Sequence, residues 1–485
     1  MQNVISDRRQ HPIAIIHYTY RYLFLLLVPL LRGLRYIRTP QGLYLWLKGT
    51  WIDVLAVLVL VLLPLVAWGR HSYSLTDRGF IIRRGIFLRT TSFIPRHSIA
   101  TLSVERPFYL RPLRAVRIAI DTDAGSSVRA DFSLTVSEKC AREILNERRQ
   151  GVHEIMHTFR PRWYDVALLS LLMSDSFSGI VLLATTFQQT GRLLGEGFND
   201  RVLGNLETVA GYMTVIPTTA AILALVLIVG WCIAAIRNLL RHLPFCVTRA
   251  RGTLTIRTGV LVRRDYSCRT DAINFVDYRQ SVFSKFLRLH LVFINCIGYG
   301  KGKNAMPVLI PASPVKSSEE EVKQLLPEFR RHTVTLKAAP FSVYRYVFYP
   351  LWATVLLYPV SHIVQGWLPE WQELIYYLTF MAYIPCLWQM LVKIIDRCTA
   401  GIAHADGFYT LRFSRFYTFH TIMVPEDKVV AYDLKQTIFQ KIVHNCDVLV
   451  YTYNEGRRYH RIRNLSMAKA RAVFEGVPCG APTDK

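Results

Sequence analysis

Ile99-Ala100-Thr101-Leu102-Ser103-Val104 returns as Ile273-Asn274-Phe275-Val276-Asp277-Tyr278, and again as Val429-Val430-Ala431-Tyr432-Asp433-Leu434. From these anchors the three copies align without a gap for about twenty residues. Tyr109, Phe283 and Phe439 share one column, and Arg111, Lys285 and Lys441 the next basic one. Leu113, Leu287 and Val443 follow, then Arg114, Arg288 and His444, then Ile118, Val292 and Val448. A chain of 485 residues is too long for one core, and self-similarity at this spacing makes a threefold array the expected architecture.

Around the anchor of copy one, residues 79–84 read as a strand, Gly85 as a turn, and 87–94 and 99–106 as further strands. Leu102 and Val104 alternate with polar neighbours, as a half-buried strand requires. Residues 108–114 read as a tight helical turn, kept short by Arg111-Pro112. A hairpin about Asp123-Ala124-Gly125 joins 115–121 to 128–134, and 137–149 closes the unit as a helix. Ser137 is its N-cap, and Ala141, Ile144 and Leu145 share one face. Copies two and three turn at 298–302 and 454–456, and their last helices are expected to begin at Ser317/Ser318 and Ser466. The repeat is thus a bent antiparallel sheet of about 80 residues with a C-terminal helix, the layout of a pleckstrin-homology-like (PH-like) barrel.

Apolar runs separate the copies: 22–34, 52–68, 163–187, 212–236, 346–364 and 374–395. Most approach the roughly 20 residues that cross a bilayer core. Net charge is +25, concentrated between the apolar pairs. Residues 70–162 hold 17 Lys/Arg against 9 Asp/Glu, whereas 188–211 has only Arg192 and Arg201 as basic residues and 365–373 has none. Basic segments stay in the cytoplasm, so all three modules are expected inside a bacterial cytoplasmic membrane. Only 22–31 separate Arg21 from Arg32, about 15 Å of helix, and Arg35, Arg38 and Lys48 follow. A re-entrant first segment therefore stands beside a full span. His17 and Arg21 interrupt the first run and no small-residue cleavage site follows, so it is expected to be retained. Nine cysteines without a CxxC pair read as free thiols of a reducing compartment.

The expected organisation is an α+β membrane protein, with paired transmembrane helices alternating with three PH-like antiparallel β-barrel modules, each capped by a C-terminal helix. The first hydrophobic pair occupies 1–69 and module one 70–160; the second pair occupies 161–240 and module two 241–335. The third pair occupies 336–397 and module three 398–478.

The stretch Tyr73-Ser74-Leu75-Thr76-Asp77-Arg78-Gly79-Phe80-Ile81-Ile82-Arg83-Arg84-Gly85 resembles the opening of the bacterial PH-like membrane-flanked domain. Ile94-Pro95, Ile99 and, in copy two, Gln280-Ser281 continue the pattern, and His11-Pro12 is similar to the start of the long, three-copy YdbT-like type. Departures are Arg415 in the column of Gly85 and Gly259, Arg269 in the column of Pro95 and Pro425, and Arg106-Pro107 in place of Gln-Ser. The resemblance implies a fold and a membrane setting but no activity. It also suggests, as a partner, a smaller membrane protein with the same domain type.

The basic pairs Arg111/Arg114, Lys285/Arg288 and Lys441/His444 are three residues apart, hence on one side of a helical turn. They suit docking on anionic headgroups, at about 1 kcal/mol per residue, or on an acidic partner. The alternative is charge on a solvated turn beside an aromatic that packs inward. Arg83, Arg84 and Arg89 form a second basic cluster, readable either way. Asp175 lies within an apolar run among Ser170, Ser174, Ser176 and Ser178, where a charge costs about 3 kcal/mol unless paired or hydrated. It reads as an intramembrane polar site, as a helix–helix hydrogen bond through the serines, or as a shallow residue of a span that begins further along. Lys393, Asp396 and Arg397 read as interfacial residues.

No catalytic constellation, metal motif or cofactor loop is found. Gly298-Tyr299-Gly300-Lys301-Gly302 falls at a hairpin turn and lacks phosphate-loop spacing. Charge beside membrane spans also makes nucleic acid an unnecessary partner. The expected function is a non-enzymatic integral membrane scaffold that binds anionic lipid or a partner membrane protein, in envelope stress or maintenance. The alternative is a transporter or lipid-handling protein using Asp175.

Overall fold

The computed structural model describes residues 3–22, 50–86, 88–122, 131–149, 155–173, 218–296, 307–339, 343–453 and 459–475. Asp175, the three hairpin tips and the apolar run beyond Tyr22 lie outside the described residues. The first repeat comprises β1 (Asn3–Arg9), α1 (Ala14–Tyr22), α2 (Thr50–Arg70), β2 (Ser72–Thr76), β3 (Gly79–Arg84), β4 (Thr90–Pro95), β5 (Ile99–Pro107), β6 (Ala115–Thr122), β7 (Phe132–Ser137) and α3 (Glu138–Arg149). The second comprises β8 (Ile155–Phe159), α4 (Trp163–Leu172), α5 (Thr218–His242), β9 (Cys246–Ala250), β10 (Thr253–Thr258), β11 (Val262–Arg269), β12 (Ile273–Ser281), α6 (Val282–Phe286), β13 (Leu289–Cys296), β14 (Val308–Pro314) and α7 (Val315–Leu325). The third comprises β15 (Leu336–Lys337), α8 (Val343–Trp367), α9 (Gln372–Thr399), β16 (Gly401–Ala405), β17 (Phe408–Arg415), β18 (Thr418–Pro425), β19 (Val429–Lys435), α10 (Ile438–Ile442), β20 (Asn445–Thr452), β21 (Tyr459–Ser466) and α11 (Met467–Phe474).

The chain divides into two compact units: 1–155 with 250–253 and 262–269, and the remaining residues. In the first unit, β1-β2-β3-β4 form one antiparallel sheet, and β7, β6 and β5 lie in order in another. Tyr73, Phe80, Ile82, Leu102, Val104, Ile118, Ile120 and Val136 are buried together, and Cys140, Ala141 and Ile144 of α3 join them. The second unit repeats the plan. Phe474 of α11 stacks on Tyr409 (5.1 Å) and Tyr432 (4.6 Å) in its core. At Gly85 φ is +119°, and a Cβ would overlap the Leu88 carbonyl, so this turn requires glycine. Copy three, with Arg415 in that column, instead places Phe416 in the left-handed region at φ 48°.

Each apolar stretch is bracketed by strands that pair with each other. β1 lies antiparallel to β2, and β15 to β16, while β8 is the sheet neighbour of β9. The chain therefore leaves and re-enters each sheet at one place. The sequence reading missed these leading strands. Their mark is an X-Pro dipeptide just after each: His11-Pro12, Arg160-Pro161 and Ala339-Pro340. It stops strand pairing because proline has no N–H to donate.

Neighbouring repeats share sheets. In the first unit β11 runs antiparallel to β5, with Arg264 opposite Glu105. In the second, β18 runs antiparallel to β12, with His420 opposite Arg279. In repeat columns the two registers are the same. Arg264 and His420 stand equally far ahead of Arg269 and Pro425, and Glu105 and Arg279 equally far beyond Ile99 and Ile273. Charge pairs bind both junctions: Arg264 with Glu105 at 3.1 Å and Arg106 with Asp265 at 3.6 Å in one, His420 Nδ1 with Asp277 at 3.0 Å in the other. This outer pairing is why Ala100 and Thr101 are buried, where strand alternation predicted one polar, solvated face.

Among the described residues, three apolar segments are long enough to cross a membrane: Leu225–His242, Val343–Trp367 and Pro369–Thr399. α8 packs along α9, and both turn large apolar side chains outward, including Trp352, Val355, Phe380 and Leu387. So continuous an apolar surface calls for a non-aqueous surround. At the module end of α9 the expectation of interfacial charges is corrected. Lys393 and Asp396 are buried, Lys393 Nζ donates to Ser414 Oγ of β17 (2.6 Å), and Ser414 Oγ donates to Asp396 (2.7 Å). The charges fasten the helix to its sheet rather than reaching into water. α7 also starts earlier than Ser317, because the Val315 N–H bonds the Arg288 carbonyl (3.0 Å) and so sets the helix start. Ser466 is the N-cap of α11, as expected.

Candidate functional site

The connection after β12 and after β19 is built alike in repeats two and three. In copy two, Ser281 Oγ caps α6 by accepting from the Ser284 N–H (3.0 Å), and Gln280 Nε2 donates to the Leu289 carbonyl (2.8 Å). In copy three, Gln436 Nε2 donates to the Asn445 carbonyl (2.8 Å), while Thr437 and Gln440 form a capping box. The Gln-Ser pair of the sequence motif is thus a device that starts a single helical turn. Copy one, with Arg106-Pro107, has hydrogen-bonded turns there and no assigned helix.

The turn closes at Arg114, Arg288 and His444, whose φ values are 50°, 54° and 53°. Their carbonyls accept the N–H of Glu138, Val315 and Met467 at 2.9, 3.0 and 3.0 Å. The backbone of this basic column therefore ends the turn in the left-handed conformation common where helices stop, and its carbonyl bonds the first N–H of each C-terminal helix. Recurrence at this column has a fold reason, independent of what the side chains do.

The side chains point out. Tyr109 is 61% exposed, Phe283 50% and Phe439 72%. The inward-packing alternative for this aromatic column is thereby corrected: the preceding strand and capping bonds aim it away from the core. Phe108, Leu113, Phe286, Leu287, Ile438, Ile442 and Val443 are exposed around it. Arg111, Arg114, Arg288, Lys441 and His444 are exposed beside these apolar groups. Lys285 is less free: its Nζ lies over the Phe419 ring at 4.4 Å, and burial, aided by Arg412, lowers its pKa. Apolar tips with a basic rim suit a bilayer interface. Burying one such side chain is worth about 1.5–3 kcal/mol. In copy three the turn adjoins a span-length helix, for Arg345 in the first turn of α8 donates to Thr437 Oγ1 at 2.7 Å.

Arg83 and Arg84 do not join these turns. Arg83 pairs with Asp7 of β1 at 2.7 Å, so it ties the leading strand to its sheet. Arg84 lies 5.6 Å over the Phe132 ring and borders a cavity of about 1400 Å³ that also meets Tyr18, His71, Tyr109 and Asp131. There His71 Nδ1 is 2.5 Å from the Tyr18 hydroxyl, and burial with the nearby Arg84 lowers its pKa. Among the described residues no cluster of three His, Cys, Asp or Glu could hold a metal, and eight cysteines form no disulfide.

The family profile described as Bacterial PH domain matches residues 23–148 and 201–327. The UPF0699 transmembrane protein YdbT of Bacillus subtilis (strain 168) is 20% identical over 399 residues, spanning 74% of this chain and 79% of the relative. Antiparallel sheets with a C-terminal helix fit PH-like domains, and the span-length helices fit a membrane-associated relative of YdbT.

Proposed function

The chain belongs to the bacterial PH domain family, and from that premise we propose that it is a non-enzymatic, multi-pass scaffold of the cytoplasmic membrane. Its three modules lie on the cytoplasmic side and rest the basic–aromatic turns on anionic lipid. The carrying observation is the exposure of Tyr109, Phe283 and Phe439 beside basic residues, with Arg345 of α8 bonded to the third turn. Strand pairing across each apolar stretch supports an even number of crossings, which returns the chain to the side it left. The Lys/Arg surplus of the modules supports the inner side. A membrane so anchored can hold a second partner, a smaller membrane protein with the same domain type. A lipid-handling role is the second reading. The cavity beside Arg84 favours it, as a place where a headgroup fits.

An environment-sensitive fluorescent amino acid at Ile442, which is 73% exposed, tests docking in the full-length protein. In nanodiscs with anionic lipid its emission shifts to the blue, and Lys441→Glu reverses much of the shift. The same probe at Lys469 on α11 does not move. Identical emission in anionic and zwitterionic discs would remove lipid docking at this turn.

A further inference from the structure

The two shared-sheet junctions leave one repeat column without its outer strand. β5 and β12 pair outward with β11 and β18, whereas β19 ends its sheet, in the order β19-β20-β21. Accessibility registers the difference. Val430 is 48% exposed, against 0% for Ala100 and 2% for Asn274 in the same column. Ala431 is likewise exposed, where Thr101 and Phe275 are buried.

The chemistry of the edge is also half complete. At the second junction buried Asp277 takes Arg279 from its own strand (2.6 Å) and His420 from the neighbouring one (3.0 Å). On β19, Asp433 and Lys435 occupy the columns of Asp277 and Arg279 and lie 3.8 Å apart. Asp433 also accepts from the Tyr451 hydroxyl at 2.8 Å. The third member, a basic side chain from an outer strand, is the one that β19 does not have among the described residues.

Resting on the scaffold reading, we infer that the open edge of β19 receives the outer strand of a PH-like module on another membrane protein. That strand runs antiparallel, in the register of the two internal junctions. It carries a basic residue in the His420 column, from which it reaches Asp433. A second copy of this chain is the poorer occupant. Its corresponding strand, β4, has Thr90 in that column, so a second copy would not supply the basic side chain that Asp433 lacks. Strand addition supplies main-chain hydrogen bonds for affinity, and the charge pair supplies register.

A photo-crosslinking amino acid at Val430 of the full-length chain, in membranes of its own host, tests this. The expected result is one adduct whose partner peptide maps to the outer strand of a PH-like module. Asp433→Lys, at equal protein level, lowers its yield by about tenfold or more, as loss of a charge pair of this kind does. No adduct at Val430 would overturn the assignment. So would an adduct to the Thr90–Pro95 strand of a second copy, or to a protein without such a module. The fluorescence shift at Ile442 is read in the same preparation. If it persists while the adduct is absent, lipid docking stands and the edge assignment alone falls.

Discussion

Asp277→Ala is expected to destabilise the contact between the second and third repeats by about 3–5 kcal/mol, the cost of breaking a buried ion pair from one side. Asp277 is buried where β12 meets β18. Arg279 Nε donates to it at 2.6 Å, His420 Nδ1 lies 3.0 Å from it, and the Arg279 guanidinium sits 4.1 Å over Phe293. Removing the carboxylate leaves two basic groups facing an apolar wall. Hydrogen exchange checks this, with protection lost over Thr418–Pro425 and kept over β20 and β21.

The acid response has a definite order. Burial alone would raise the Asp277 pKa, but His420 and Arg279 outweigh it and hold the carboxyl well below the usual range. Its contribution is therefore complete above the ordinary carboxylate pKa and is lost only as pH falls through the depressed value. His290 responds earlier. Burial, with Arg331 and Arg412 near it, pushes its pKa from 6.5 to about 4. The folded state thus binds fewer protons than the unfolded one, and stability falls as pH drops from 6.5 towards 4. Between pH 6.5 and 4, loss of exchange protection is expected around His290 before the junction at Asp277 yields.

Asp396→Ala is the second large effect, also about 3–5 kcal/mol, since it strands the buried Lys393 ammonium. The Lys393–Ser414–Asp396 bridge joins the end of α9 to β17, so its loss is expected to uncouple the last helix from its sheet. Thermal aggregation of the detergent-solubilised protein measures the change. The double variant Lys393→Met with Asp396→Leu is expected to recover much of it, because apolar groups of similar size avoid the desolvation cost that the ion pair carries. Failure of the double variant to recover would mean that the charges do more than fasten the helix.

The threefold repeat, the strand-rich modules and the single helical turn after each anchor strand were legible because side-chain periodicity is local. Gln280-Ser281 and Thr437 even mark where the turn begins. Pairing across distance was not legible. Nothing in Asp277 or His420 alone says that they meet across 143 residues, and β1, β8 and β15 are short strands whose partners lie beyond an apolar stretch. The aim of Tyr109, Phe283 and Phe439, outward or into the core, stayed open in the sequence. An aromatic column reads either way until the left-handed residue that closes the turn is seen. Lys393 and Asp396 misled for a related reason, since charges at a helix end look interfacial unless the strand covering them is known.

The proposed scaffold requires that all three modules rest their turns on one leaflet. Fluorescent residues at Tyr109, Phe283 and Phe439, in separate full-length variants, would be reconstituted in a single orientation with spin-labelled lipid in one leaflet at a time. The predicted result is quenching of all three from the same leaflet, the one facing the modules. Quenching from opposite leaflets, or none from either, would contradict it.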